Sequence, residues 1–248
     1  MPRFFISPDA VTEKDGKLSA VITGDDAHHI SRSLRMRVGE ELTLCDGCGK
    51  DYVCTISEIS DSAVLLAVDD VSISKAEPPY SVNVFQSLVK GDKFDTVIQK
   101  SVECGATHIT PLVTSRCTVK LSGADIEKKR VRWQRIATEA AKQCGRGVIP
   151  TVDTPANFAD MCKICASYDL VLFCYENGTY LLKDALAEAT GEVKSIAVII
   201  GPEGGFSESE AALAKDSGAV TVSLGRRILR TESAAPFVLA CLSFALES

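Results

Sequence analysis

No apolar stretch of this chain approaches the roughly 20 residues that a membrane-spanning helix needs. The opening Met1-Pro2-Arg3-Phe4-Phe5-Ile6 is too short for the apolar core of a signal peptide before Asp9 follows. The expectation is a soluble, cytoplasmic protein with no membrane partner. Two nucleotide-binding fingerprints are missing as well. There is no GxGxxG after an early strand and no GxxxxGK[ST], which argues against a familiar dinucleotide fold and against a P-loop. Internal repeats and low-complexity tracts are absent. So is an overall basic charge: the net charge is −6, so a polyanion partner would need a local basic footprint.

The chain has 248 residues, 46% of them hydrophobic, with a mean hydropathy of +0.11. That is material for two domains with real cores. Ten residues are cysteine, and two pairs, Cys45/Cys48 and Cys162/Cys165, have CxxC spacing. The pairs lie much farther apart than the ~15–20 residues usual between the halves of a zinc site. The second pair also falls in a helical pattern. The expectation is reduced thiols and no metal. Three basic runs stand out against the acidic total. Residues 28–37 hold His28, His29, Arg32, Arg35 and Arg37 with no acid, residues 128–135 hold five Lys or Arg, and Arg226, Arg227 and Arg230 follow later. Three such runs in one chain point to an anionic partner.

Residues 1–73 read as short strands at 3–6, 20–23, 41–45, 52–59 and 63–68, interrupted by one helical piece over about 26–34. Asp46-Gly47-Cys48-Gly49 is a hairpin turn between two of the strands. Many short strands with little helix suggest a small β-barrel. Residues 74–79 contain Pro78-Pro79 and read as a linker. From residue 80 to 248 the pattern alternates. Strands are expected at 82–85, 108–112, 169–174, 195–200 and 220–224, and helices at 92–104, 125–144, 181–189 and 208–217, with a last helix running to about 246. Such alternation predicts a mainly parallel sheet covered on both faces.

In open α/β sheets ligands bind at the carboxyl ends of strands. The run Ala197-Val198-Ile199-Ile200 ends in Gly201-Pro202-Glu203-Gly204-Gly205. Glycines without Cβ atoms let a ligand approach the backbone. Ser207 and Glu210 have the spacing of a capping box for the next helix, and a helix N-terminus favours an anionic ligand group. Two more strands end in comparable turns: Cys174-Tyr175-Glu176-Asn177-Gly178, and Leu224-Gly225-Arg226-Arg227-Ile228-Leu229-Arg230-Thr231-Glu232-Ser233-Ala234. These loops could face one pocket.

GPEGG after an apolar strand, followed about twenty residues later by LGRRILRTESA, resembles the RsmE family, 16S ribosomal RNA uridine-N3 methyltransferases of the SPOUT superfamily. The likeness extends to the PRFF start, Asp26-Ala27-His28-His29, Leu34-Arg35 before Gly39, Asp92-Lys93-Phe94-Asp95, Gln99-Lys100, Glu103-Cys104-Gly105, Arg132-Trp133, residues 140–146 and Pro150. It spans nearly the whole chain. Two places depart from the family pattern. Lys142-Gln143-Cys144-Gly145-Arg146 stands where relatives often have Glu-Gln-Ser-Gly-Arg, and Pro236 lies early in the last helix.

The resemblance implies a PUA-like, RNA-binding β-barrel over 1–73, a linker over 74–79 and a SPOUT α/β domain with a trefoil knot over 80–248. It implies a homodimer that acts on 16S rRNA or the small ribosomal subunit, with S-adenosylmethionine bound between three knotted loops. The cofactor residues it marks are Tyr175 and Glu176; Ile200, Gly201, Pro202, Glu203, Gly204 and Gly205; and Leu224, Gly225, Ile228, Leu229, Arg230, Thr231 and Ala234. Methyl transfer from a sulfonium needs no metal and no nucleophilic Ser or Cys. Arg230 is the candidate for stabilising charge on the uracil oxygens. Glu203 is the candidate for accepting the N3 proton or orienting the base. Arg3, His28, His29, Arg32, Arg35 and Arg37 are the candidate RNA contacts. Two rival readings stay open: a non-catalytic RNA-binding assembly protein, which would not bind S-adenosylmethionine, and a small-molecule α/β enzyme, which would not bind RNA.

Overall fold

A computed structural model describes residues 1–60, 62–119, 121–189 and 193–247. The chain packs as two units. One comprises Met1–Glu77 with Ala141–Ile149, the other Pro78–Ala140 with Pro150–Ser248.

The first unit holds β1 (Arg3–Phe5), β2 (Val11–Lys14), β3 (Lys17–Thr23), α1 (Gly24–His28), β4 (Glu41–Cys45), β5 (Lys50–Ile59) and β6 (Ala63–Ile73). Its strands pair in the order β1-β4-β5-β6-β3-β2. Every pairing is antiparallel except β1 with β4. Strand β2 is not legible in the sequence, because Val11-Thr12-Glu13-Lys14 is nearly all exposed and has no apolar face to signal it. Along β3, by contrast, Ala20 and Ile22 are buried while Val21 points outward, the alternation of a half-covered sheet. The expected helix over 26–34 is α1 followed by a π-helical turn at His29–Ser33, which drives Ile30 into the core beside Leu42, Leu44, Ile56 and Leu66. In the hairpin turn the Asp46 carboxylate accepts from the backbone N–H of Cys48 at 2.8 Å and of Lys50 at 3.0 Å.

That 141–149 joins this unit is invisible in the sequence. The buried Arg146 donates to Glu77 through Nε at 3.1 Å and Nη2 at 2.6 Å. The same carboxylate accepts from the backbone N–H groups of Gly147 at 2.9 Å and Val148 at 3.0 Å. A Cβ on Gly147 would stand 2.3 Å from Ser74 Cβ, so only glycine lets the two strands of chain approach this closely.

The second unit holds β7 (Ser81–Ser87), α2 (Lys93–Glu103), β8 (His108–Val113), α3 (Gly123–Cys144, its last turn in the first unit), β9 (Thr151–Val152), β10 (Ala156–Asn157), α4 (Phe158–Lys163), β11 (Leu170–Cys174), β12 (Tyr180–Leu181), α5 (Leu182–Glu188), β13 (Ser195–Ile200), α6 (Glu208–Asp216), β14 (Val220–Ser223) and α7 (Thr231–Leu246). The strand order is β10-β8-β7-β13-β11-β14-β12, with β9 also on β8. All pairings are parallel. Ile196 to Ile200 are all buried, as a strand covered on both faces requires. Helix α2 buries Phe94, Val97, Ile98 and Val102 at helical spacing and stops at Gly105, whose φ is +94°. Sequence reading misses β9, β10 and β12 because two-residue strands carry no period. It misses α4 because Phe158–Lys163 is only six residues long. The end of the expected helix over 181–189 adjoins 190–192, which lie outside the described residues.

Candidate active site

The cavity of interest, about 530 Å³, lies in the second unit at the carboxyl ends of β11, β13 and β14. That is within the range of small-molecule sites. It is lined by Tyr175 and Glu176 after β11, by Ile200, Gly201, Pro202, Glu203, Gly204 and Gly205 after β13, and by Leu224, Gly225, Ile228, Leu229, Arg230, Thr231 and Ala234 after β14. All the residues marked from the sequence for a small ligand therefore border one space. Lys93, Cys174, Phe206, Arg227 and Glu232 line it too.

Hydrogen bonds tie the glycine loop to the segment after β14. Thr231 Oγ1 donates to the Gly201 carbonyl at 2.7 Å and accepts from Gln86 Nε2 at 2.9 Å. One hydroxyl thus links the end of β7, the glycine loop and the first turn of α7. Gly205 has φ +65°, where a side chain is strained, and a Cβ there would lie 2.5 Å from Glu176 Oε1. Below the loop the Phe206 ring packs on Phe173 at 4.4 Å and occupies the space beside Gly201.

The loop is also braced from behind. The capping box forms: Ser207 Oγ accepts from Glu210 N, and the Glu210 carboxylate accepts from Ser207 N at 2.9 Å. That carboxylate accepts from Ser115 N and Oγ as well. Arg116 Nη1 donates to the Gly204 carbonyl at 2.8 Å. Ser115 and Arg116 follow β8, far away in sequence, and nothing in their local pattern marks them.

The charges are mixed. Burial alone would raise the carboxyl of Glu203, but its own backbone N–H, the Lys93 ammonium at 3.2 Å and the backbone of Lys90 hold it below the usual range. Arg230 is exposed and forms no ion pair among the described residues. Cys174 lines the cavity, but burial pushes its thiol up to about 12, far from the thiolate a nucleophile needs at neutral pH. None of the ten cysteines forms a disulfide. Among the described residues no cluster of three or more His, Cys, Asp or Glu could hold a metal, and no helix is long and apolar enough to cross a membrane.

The RNA candidates fall in the first unit and differ among themselves. Arg3 is spoken for: it donates to both oxygens of Asp51, at 2.8 and 2.9 Å, and to Cys45 Sγ. The sequence gives no warning of that partner, 48 residues away. His28, His29 and Arg32 border a shallow, open cavity of about 400 Å³ with Asp25 and Ser33. Arg35, at φ +54°, and Arg37 are exposed beyond it. Arg32, Arg35 and Arg37 form no ion pairs among the described residues.

This geometry meets its parallel in known proteins. Residues 76–243 match the model of an RNA methyltransferase domain, and residues 22–69 that of an RNA methyltransferase PUA domain. The ribosomal RNA small subunit methyltransferase E of Bacillus subtilis is 33% identical over 91% of this chain and 90% of its own length. Its counterpart in Synechocystis is 32% identical over 99% of this chain and 78% of its own length. The crystal structure of ribosomal RNA small subunit methyltransferase E from Neisseria gonorrhoeae, bound to S-adenosyl methionine, superposes with a TM-score of 0.85. It is 29% identical and covers 98% of this chain and 97% of its own. With a PUA-like unit, a methyltransferase unit and relatives matching along nearly the whole length, the chain belongs to the ribosomal RNA small subunit methyltransferase E family.

Proposed function

We propose that this enzyme methylates N3 of a uridine in 16S rRNA of the small ribosomal subunit, with S-adenosylmethionine as methyl donor. The observation that carries the reading is the single cavity at three strand ends, floored by bare glycine backbone, in a chain of this family. The residues present fit the cofactor: the volume suits a small molecule, the glycine loop presents backbone without side chains along one wall, and Glu232 Oε2 of the lining is buried without a hydrogen-bond partner. In this reading Tyr175, Glu176, residues 200–205 and Leu224 to Ala234 hold the cofactor, and the loops belong to a trefoil knot, a rare exception to unthreaded topology. When bound, S-adenosylmethionine supplies a methyl group on a sulfonium sulfur.

The protein's own contribution is alignment and charge. Holding the uracil in line with the methyl group supplies several kcal/mol of the barrier. Arg230 stabilises negative charge on the uracil oxygens, a role in which one donor is worth about 3–4 kcal/mol. Glu203, ionised and held by Lys93, orients the base. The target uridine must be unstacked to reach the cavity. The barrel unit, Met1–Glu77 with Ala141–Ile149, grips RNA through His28, His29, Arg32, Arg35 and Arg37, and the SPOUT unit carries the methyl transfer. Arg3 supports that surface through Asp51. The enzyme works as a cytoplasmic homodimer, without a metal.

Mass mapping of rRNA from a deletion strain, and its repair by the purified enzyme, tests the reading. Loss and restoration of one 3-methyluridine in 16S rRNA are expected. An unchanged 16S modification pattern would overturn the assignment. A monomeric mass in light scattering with full activity would remove the dimer.

A further inference from the structure

Lys93 opens helix α2 and lines the cavity. Its ammonium has three N–H donors. One bonds Glu203 Oε1 at 3.2 Å, and Glu232 Oε2 lies 3.9 Å away. One lysine therefore stands between carboxylates from two segments, the glycine loop after β13 and the first turn of α7.

The carboxylates differ in their hydrogen bonds. Glu203 is satisfied by Lys93 and by backbone N–H groups, which outweigh its burial and keep it ionised. A carboxylate stabilised in this way is a poor proton acceptor. Glu232 Oε2 is buried and makes no hydrogen bond, while the Glu232 side chain remains 20% exposed and borders the cavity. It stands in the first turn of α7, two residues after Arg230. The third carboxylate of the cavity, Glu176, packs against Gly205 and shares no ion pair with Lys93 among the described residues.

We propose that Glu232 is a catalytic residue that takes the imide proton of the target uracil, and that Lys93 is a positioning residue that aims it by being shared between Glu232 and Glu203. The inference rests on the uridine-N3 reading of the site. In the step, the N3–H bond breaks and its electron pair stays on N3 to form the new N–C bond. The proton goes to the Glu232 carboxylate and from there to water as product leaves. The pair of the broken S–C bond remains on the donor sulfur. One carboxylate and one sulfonium thus become a neutral acid and a neutral thioether, and charge balances.

The test combines calorimetric titration with S-adenosylmethionine and single-turnover methylation of a 16S rRNA fragment, on the wild type, Glu232→Gln, Lys93→Met and Lys93→Arg. Glu232→Gln is expected to lose about 100-fold or more in single-turnover rate at saturating RNA and cofactor, with cofactor affinity kept within about threefold. Lys93→Met should lose about tenfold or more, and Lys93→Arg, which keeps the charge, should recover most of that loss. Thermal midpoints within about 3 °C of wild type show that the variants fold. Should Glu232→Gln fail to fold, Glu232→Asp replaces it, with the same split between rate and affinity expected. A wild-type rate in the Glu232 variant overturns the proposal. So does a loss explained by weaker cofactor binding, or a Lys93→Arg protein no better than Lys93→Met. If the wild type itself methylates no uridine, the failure is that of the proposed function.

Discussion

The Glu210 carboxylate accepts the backbone N–H of Ser115 at 2.7 Å, across 95 residues of chain. With Ser115 Oγ at 2.9 Å, Ser207 N at 2.9 Å and Ser207 Oγ at 3.0 Å, it receives four donors while buried. It fastens the loop after β8 to the N-terminus of α6, and so fixes where the glycine loop can lie. Replacing Glu210 with Gln removes the charge and half of the acceptor capacity. A loss of about 1.5–3 kcal/mol at pH 7 is expected in urea unfolding. Burial opposes ionisation of Glu210, but the Ser115 and Ser207 donors win and its pKa is lowered. Its contribution is therefore fully present above the unfolded value of about 4.3 and is lost as pH falls through the lower folded value. The gap between wild type and variant should shrink at acid pH. A gap that stays constant from pH 7 to pH 3 would mean the charge contributes nothing.

Gly205→Val should abolish S-adenosylmethionine binding and leave the fold largely in place. A β-branched residue at φ +65° costs about 1–2 kcal/mol in backbone strain, and its Cβ would collide with the Glu176 carboxylate. Calorimetry should show affinity at least about 100-fold weaker, which is about 2.7 kcal/mol. Unchanged affinity would show that this loop does not hold the cofactor.

Glu77→Ala should unfold the first unit more readily. It leaves the buried Arg146 guanidinium and the N–H groups of Gly147 and Val148 without their shared acceptor. Removing one partner of a buried pair costs about 3–5 kcal/mol. The cost should appear as a lower urea midpoint, and a midpoint equal to wild type would contradict the role given to this clamp.

Changing Arg32, Arg35 and Arg37 together to Ala should weaken rRNA binding and flatten its salt dependence. Each lost phosphate contact removes roughly 0.7–0.9 from the slope of log K against log salt. Cofactor affinity should not move, since the cavity is lined by residues of the second unit. The single-turnover rate at saturating RNA should also be nearly kept. A mutant that binds RNA normally defeats the assignment, and one that loses only the chemical step would put these arginines in the active site.

What the sequence determined on its own was local. The continuous apolar run before Gly201 specified a strand buried on both faces, and Ser207 with Glu210 specified the helix start, because both signals depend on neighbours within a few residues. The glycine loop and the Leu224–Ala234 segment were legible as turns at strand ends, which border one cavity, and the family likeness attached an expected chemistry to them. Tertiary structure decided everything that needed a distant partner. It tied Arg3 to Asp51 and so withdrew it from the exposed basic set. It carried residues 141–149 into the first unit through Glu77. It brought Ser115 and Arg116 behind the glycine loop and set Lys93 between Glu203 and Glu232. A side chain's partner depends on which strands the sheet order makes neighbours. In a parallel sheet with non-sequential order, residues far apart in the chain meet at one edge, and no local pattern records the meeting.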